Sequence, residues 1–509
     1  MKYLREIAQI VTRYREKNLD VIDDEPSQGD TDYISKLYYG FKENKVTTDL
    51  SAAELVYGAP KIDTKYTTLK NRLKRKLLNL LFFLDIREPD FSEFSVARYQ
   101  NAKNLFWINT LVGFGARNSS VKLAESGLTQ ALKYDFTWNS LQYLLVLRNY
   151  SRFSGSERQY DKYDQMLRNQ LRTFEAELVA QELYERLTIR FSRSAAEQPD
   201  LIDVCQSYLS QLDAYKSSID SFNFNLYYYR LRAHAKQIGQ QYLESVNTCE
   251  DATQYFDKHK HVAYKLLYAE FYLQELTCFL QLREYTKGKE LVEICRPLYI
   301  EGGANWFNFM EYQFLLEMHT LHFKEASEVL LKTTSNNRFQ FQSEEIKEKW
   351  IIYGLYLDFA LRHTHSDSIS GAKSQMDPDR FLRTVPNFKK DKRGYNIAIL
   401  ILHIIMLLEK NDFGSIISRM DALRTYRNRY LQVSTNRRSA LFFKMLQIME
   451  SNSFDPTVTA VKSKQYFDRL SARTSDVVEV QEGVQILSFE WLWQAIIKML
   501  EEKQKQGKL

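Results

Sequence analysis

The chain has 509 residues, of which 44% are hydrophobic and 26% charged, with a formal net charge of +6; this balance excludes wholesale disorder, and the length exceeds what one small core organises. Glycine (17) and proline (8) are scarce, which favours long helices joined by short polar turns and counts against the glycine-rich phosphate loops of nucleotide enzymes. Cys205, Cys249, Cys278 and Cys295 stand far apart with no C-x-x-C pair, so they read as reduced, mostly buried thiols of a cytoplasmic protein rather than as zinc ligands or a disulfide framework.

The N-terminal MKYLREIAQIVTRYREK is charged throughout and has no uninterrupted apolar core. It predicts an amphipathic helix over residues 2–17, not a signal peptide. An acidic turn with Pro26 and Gly29 follows, then two or three helices up to Asp85, with Pro89 as the break that ends an N-terminal helical domain at residue 88. That domain contains a basic helix, YTTLKNRLKRKLLNLL (66–81), in which Leu69, Leu73, Leu77 and Leu80 form one apolar stripe. Residues 61–80 carry Lys61, Lys65, Lys70, Arg72, Lys74, Arg75 and Lys76 against Asp63, a local charge as large as that of the whole chain. With the preceding LSAAELVYGAP, this segment is similar to a helix-turn-helix, although the turn is longer than usual. The plain alternative is a solvated face beside a leucine core.

Residues 89–362 keep helical apolar spacing and read as an array of helical hairpins, with polar linkers at 151–158 and 192–200. From about residue 225 a repeat emerges. An aromatic residue followed three positions later by a small or mid-sized one opens each amphipathic helix: Tyr242-x-x-Ser245, Tyr285-x-x-Gly288, Phe323-x-x-Ala326 and Phe413-x-x-Ile416. Each is preceded by a long aromatic-rich helix such as YKLLYAEFYLQELTCFLQL. The 33 Tyr, 31 Phe and 6 Trp suit such an array, where large rings are the knobs between neighbouring helices.

This pattern resembles the entry to the second helix of tetratricopeptide (TPR) repeats, and FKEASEVL (323–330) is its nearest match. The period is longer and more variable than the usual one of roughly 34 residues, and Ser245 and Ile416 replace the preferred alanine. The resemblance, over about 225–450, implies an all-α, TPR-like helical-repeat solenoid whose groove is lined by the first helix of each pair.

Residues 363–394 are polar and rich in helix breakers and read as an inserted loop. The apolar run YNIAILILHIIMLL (395–408) is too short to span a bilayer and predicts a buried helix within C-terminal helical pairs over 395–509. The alternating stretch 477–487 is compatible with one short β-hairpin, and Ser488 is placed to cap a final helix with Trp491 and Trp493 that seals the array.

Two further constellations stand out. Residues 415–445 hold Arg419, Arg424, Arg427, Arg429, Arg437, Arg438 and Lys444 against Asp421, interleaved with Tyr426 and Tyr430. Such a cluster suits phosphates, nucleobases or an acidic peptide, and equally suits internal ion pairs. His319-x-x-His322 near Glu317, His259-x-His261 and His363-x-His365 are the only close histidine pairs; without H-E-x-x-H or a cysteine pair they read as structural, not as a metal site. No G-x-x-x-x-G-K-[ST], G-x-G-x-x-G or G-x-S-x-G occurs. The chain therefore reads as a non-enzymatic interaction scaffold with no cofactor, metal or membrane span. It is expected to bind a protein or peptide through Tyr227, Tyr228, Arg230, Tyr268, Tyr272, Asn308 and Tyr312. The competing reading is nucleic-acid binding through Lys70, Arg72, Lys74 and Arg75, with Arg424, Arg427, Arg429, Arg437 and Arg438 as a second basic surface.

Overall fold

The computed structural model describes residues 2–14, 30–43, 45–86, 91–191, 199–364, 395–430, 437–471 and 485–507. Of these, 83% are helical and none lies in a strand, so the protein is all-α. Among the described residues no helix is long and apolar enough to cross a membrane. The chain divides into two compact units between Leu171 and Arg172.

In the first unit, α1 (Lys2–Tyr14), α2 (Asp30–Lys42), α3 (Asp49–Tyr57) and α4 (Thr64–Leu80) share one apolar cluster. The stripe Leu69, Leu73, Leu77 of α4 is buried in it against Leu4, Val11, Leu37 and Phe41, because residues four apart share a helix face. Asp63 starts α4 by accepting the Tyr66 N–H at 2.8 Å. Three helices follow, α5 (Glu93–Gly113), α6 (Arg117–Lys133) and α7 (Thr137–Ser154), packed in sequence. Helix α8 (Glu157–Phe191) passes from the first unit into the second.

The second unit continues with α9 (Pro199–Lys216), α10 (Phe222–Ile238), α11 (Tyr242–Lys258), α12 (Lys265–Leu282), α13 (Tyr285–Cys295), α14 (Ala304–His319), α15 (Phe323–Thr334) and α16 (Glu344–His363). It ends with α17 (Tyr395–Glu409), α18 (Phe413–Tyr430), α19 (Arg437–Ser451), α20 (Pro456–Ser471) and α21 (Phe489–Lys505). Neighbours in sequence pack as neighbours in space from α9 to α16 and again from α17 to α21. Ile401 to Leu408 of α17 are all buried, as a helix apolar on every side requires.

The four aromatic residues of the repeat are the first residues of α11, α13, α15 and α18. The turn before each has one form. Gln240, Arg283, Leu321 and Asn411 adopt left-handed backbone, with φ near +60°. The next residue sends its N–H back five positions, as in Gln241 to the Lys236 carbonyl (2.8 Å) and His322 to the Glu317 carbonyl (2.9 Å). This closes the preceding helix and reverses the chain in two residues. The same turn recurs at Gly115, Asp135 and Gly155, ahead of α6, α7 and α8, where the sequence pattern gave no sign of it.

The small residue three positions into the second helix faces its neighbours. Ser245 is fully buried and donates to the Ala233 carbonyl of α10 at 3.0 Å. A Cβ on Gly288 would lie 3.1 Å from Leu316 of α14 and 3.6 Å from Leu276 of α12. Ala326 and Ile416 are fully buried as well.

The sequence-predicted hairpin is not formed where the structure describes it. Residues 477–484 lie outside the described residues, and Ile486 and Leu487 are in no strand. Both are buried, which an alternating strand forbids for adjacent positions. They lead instead into α21, which Ser488 caps by accepting the Trp491 N–H at 3.3 Å. The loop expected at 363–394 lies outside the described residues from residue 365 on.

Candidate functional site

Helices α10, α12 and α14 each keep a narrow stripe that is only partly covered; Tyr227, Leu273 and Tyr312 on these stripes also touch the apolar clusters. On α10 the partly exposed residues Asn223, Tyr227, Arg230, His234 and Gln237 follow one another at intervals of three and four. On α12 the stripe is Leu266, Glu270, Leu273 and Thr277, and on α14 it is Asn305, Asn308 and Tyr312. The spacing is that of one helix face, less covered than the faces that carry the core.

Arg230 is the centre of the first stripe. Its guanidinium binds both carboxylate oxygens of Glu270 on α12, at 2.8 and 2.5 Å, and lies over the rings of Tyr227 and Tyr184, with centroid distances of 5.2 and 5.7 Å. Tyr184 of α8 also meets the ring of His234 edge-on. The Nδ1 of His234 is 3.0 Å from the Arg230 carbonyl oxygen, and burial lowers its pKa below the usual histidine value. Two aromatic rings, a fork of N–H donors and a half-exposed carboxylate thus meet on three helices.

Of the seven residues expected to bind a partner, Tyr227, Arg230, Asn308 and Tyr312 lie on these stripes. The other three lie off them. The hydroxyl of Tyr228 donates to Asp213 of α9 at 2.9 Å, and Lys216 lies over its ring. Tyr268 donates to Asp257 of α11 and packs on Phe256. Tyr272 stacks beside Tyr268 and against the large core of the second unit. Tyr184, His234 and Glu270 join the Arg230 cluster without having been singled out in the sequence. For Glu270 the available signal was its spacing, 40 residues after Arg230.

The basic helix α4 holds part of its charge inward. Lys70 is half-buried and bonded to Asp49 at 2.6 Å, and Asp49 also accepts the Tyr66 hydroxyl at 2.7 Å. Lys74 is half-buried with its ammonium over the Tyr3 ring, at 5.1 Å from the centroid. Arg72 is half-buried and Arg75 is exposed. The carboxylate of α3 and the ring of α1 draw Lys70 and Lys74 down from solvent.

In the second basic cluster, Arg424 pairs with Asp421 and Glu450, both at 2.6 Å. Arg438 donates to Glu490 at 2.9 Å and to the Leu470 carbonyl at 2.6 Å, and Arg283 reaches the same carboxylate at 3.0 Å. Burial opposes ionisation of Glu490, but the two guanidiniums outweigh it and hold its pKa low. The side chains of Arg427, Arg429 and Arg437 lie outside the described residues.

His319 and His322 diverge. The Nε2 of His319 is 2.8 Å from the Gln485 carbonyl oxygen, and burial lowers its pKa to about 4. His322 meets Thr320 through Nδ1, while Glu317 pairs with Lys289 at 3.1 Å. Among the described residues no three His, Cys, Asp or Glu side chains converge as metal ligands. All four cysteines are buried free thiols. Burial pushes Cys205 up to about 11, Cys278 and Cys295 to about 12, and Cys249 well above its ordinary value, which suppresses the reactive thiolate. Comparison with protein-family models, with curated proteins and with solved structures finds no match to this chain.

Proposed function

We propose that this chain is a non-enzymatic interaction scaffold, a degenerate TPR-like helical-repeat array that acts in the cytoplasm and holds a protein or peptide partner on its first-helix stripes. The reading rests on one observation: α10, α12 and α14 each keep an i, i+3, i+4 stripe partly exposed and furnish it with mixed donors, acceptors and rings. Rigid helices carry these groups, so little ordering opposes binding. Tyr227 and Tyr184 offer stacking faces, Arg230 and Glu270 offer charge of both signs, and Asn308 and Tyr312 offer hydrogen bonds further along. This inventory suits an extended or helical polypeptide. It lacks the unbroken basic track that a phosphate backbone favours.

The test is affinity capture from the native host, with and without nuclease, comparing the parent with a Tyr227→Ala/Asn308→Arg variant. A protein that co-purifies with the parent, survives nuclease and is lost from the variant by about tenfold or more is the expected result. Equal recovery by parent and variant places the site elsewhere. Capture that vanishes with nuclease and with Lys74→Glu/Arg75→Glu identifies a nucleic-acid-binding protein that uses α4.

A further inference from the structure

The first unit carries a different surface. Among the described residues seven Phe and Trp side chains are classed as exposed, namely Phe83, Phe106, Trp107, Phe114, Trp138, Phe153 and Phe341. Five of them belong to the α5–α7 hairpins and the turns that join them. Large rings left in water in such density mark a surface that becomes covered.

The strongest concentration is at the end of the bundle where α5 stops, α6 starts and α7 stops. Phe114 caps α5 and is 88% exposed. The tight turn at Gly115 puts Arg117 at the start of α6. The Arg117 guanidinium lies over the ring of Phe153, in the last turn of α7, at 4.3 Å, and Arg152 lies over the same ring at 4.5 Å. Tyr150 ties the two helices together by donating to Asn118 at 3.2 Å. Phe153 is still 56% exposed, and Val112 adds an exposed aliphatic side chain beside Phe114. Neither Arg117 nor Arg152 has a carboxylate partner among the described residues.

A guanidinium stacked on a ring is held flat and presents its N–H edge outward, the geometry that grips a carboxylate with two parallel bonds. Charge on these helices agrees. From 93 to 154 there are Arg98, Lys103, Arg117, Lys122, Lys133, Arg148 and Arg152 against Glu93, Glu125 and Asp135. We propose that this edge, formed by Phe114, Arg117, Arg152 and Phe153, is a docking site for an acidic amphipathic segment of a partner protein. Its large apolar side chains cover Phe114 and Val112, and its Asp or Glu carboxylates engage Arg117 and Arg152. A nucleic-acid strand fits less well, because its phosphates would bring charge onto Phe114 and Val112 and would find two arginines where a track is needed. The site is separate from the first-helix stripes and does not depend on them.

The experiment selects short random peptides displayed on phage against the full chain, with a parallel selection on Arg117→Glu/Arg152→Glu. The peptides enriched by the parent are expected to join Asp or Glu to Trp, Phe or Leu and to be absent from the variant selection. A synthetic copy of the most enriched peptide, followed by fluorescence anisotropy, should lose about tenfold or more in affinity for Arg117→Glu/Arg152→Glu and for Phe114→Ala/Phe153→Ala. Replacing the acids of that peptide with Lys should abolish binding to the parent and restore it to the charge-reversed variant. All four positions are solvent-facing, so circular dichroism of both variants should match the parent. No enrichment, a consensus without acids, or affinity indifferent to the arginine reversal overturns the proposal. Displacement of the peptide by oligothymidine, lost in the same variants, also overturns it and assigns the edge to nucleic acid.

Discussion

Gly127 tests how tightly the hairpins of the first unit are fitted. It lies on α6 against Tyr143 of α7, which is fully buried and donates to the side-chain oxygen of Asn101 at 3.0 Å and to its carbonyl at 3.2 Å. A Cβ at position 127 would stand 2.5 Å from Cζ of that ring and 2.8 to 2.9 Å from its Cε atoms. Carbon atoms rest at about 3.5 Å or more, so the ring must retreat by roughly 1 Å. The movement strains the core by about 1–3 kcal/mol and breaks hydrogen bonds worth about 1 kcal/mol each, against about 1 kcal/mol gained in helix propensity. Gly127→Ala should therefore destabilise α5–α7 by about 2–3 kcal/mol. Gly288→Ala meets only the flexible end of Leu316, at 3.1 Å, and should stay within about 1 kcal/mol of the parent. Hydrogen exchange read by mass spectrometry resolves the helices separately; α5–α7 peptides of Gly127→Ala should exchange about 30- to 150-fold faster in the globally opening amides. Unchanged protection in Gly127→Ala would mean that Tyr143 is not seated between α5 and α6, and the packing argument fails.

Ala326→Arg drives an unpaired cation into the contact between α15 and its neighbours, and about 3–5 kcal/mol of stability should be lost; a thermal melt within a degree or two of the parent's would refute the assigned repeat register. Glu275 is buried, its Oε1 has no hydrogen-bond partner among the described residues, and burial with nearby Glu250 raises its pKa from 4.5 to about 8. A raised folded pKa means the folded state holds a proton that the unfolded chain releases, so stability is highest below pH 4.5 and declines as pH rises towards 8. Glu275→Gln removes that loss; urea denaturation should show its advantage over the parent growing across this window to about 2–4 kcal/mol, and a constant difference would refute a protonated Glu275.

Much of the helical layout was legible because it rests on local chemistry. The aromatic at each second-helix entry and the buried position three residues on follow from steric demands repeated at each hairpin, so Tyr242, Tyr285, Phe323 and Phe413 mark helix starts to the residue. The turns before them were not legible. Gln240, Arg283, Leu321 and Asn411 take left-handed backbone without being glycine, since the hydrogen bonds of the closing helix outweigh a strain of about 1–2 kcal/mol. The candidate site was half legible. A face of α10 can be read from spacing, but whether Tyr228 or Tyr227 points outward depends on α9, which no periodicity within α10 reports. Charge counting erred for the same reason: the excess on α4 is real, yet Lys70 is neutralised by Asp49, 21 residues earlier.

A long-range order does run beneath these pairs. Tyr143 reaches Asn101 42 residues back, Glu270 lies 40 after Arg230, and Lys349 and Tyr353 both bind Glu311, at separations of 38 and 42. Each tie joins alternate helices, at a separation close to 40 residues. Apolar faces as alike as those of α10, α12, α14 and α16 do not by themselves fix which turn of one helix meets which turn of the next. Sliding α16 along α14 by one turn would leave the buried Glu311 carboxylate and Lys349 ammonium apart, a loss of roughly 3–5 kcal/mol for a separated buried pair. A well-packed apolar pair at the same place would hold the helices as firmly, yet would penalise the slipped register far less. The buried tie at Glu311 therefore acts on register more than on stability. The Arg230–Glu270 tie is itself part of the surface proposed to meet a partner, so that surface depends on the same class of contact that orders the helices.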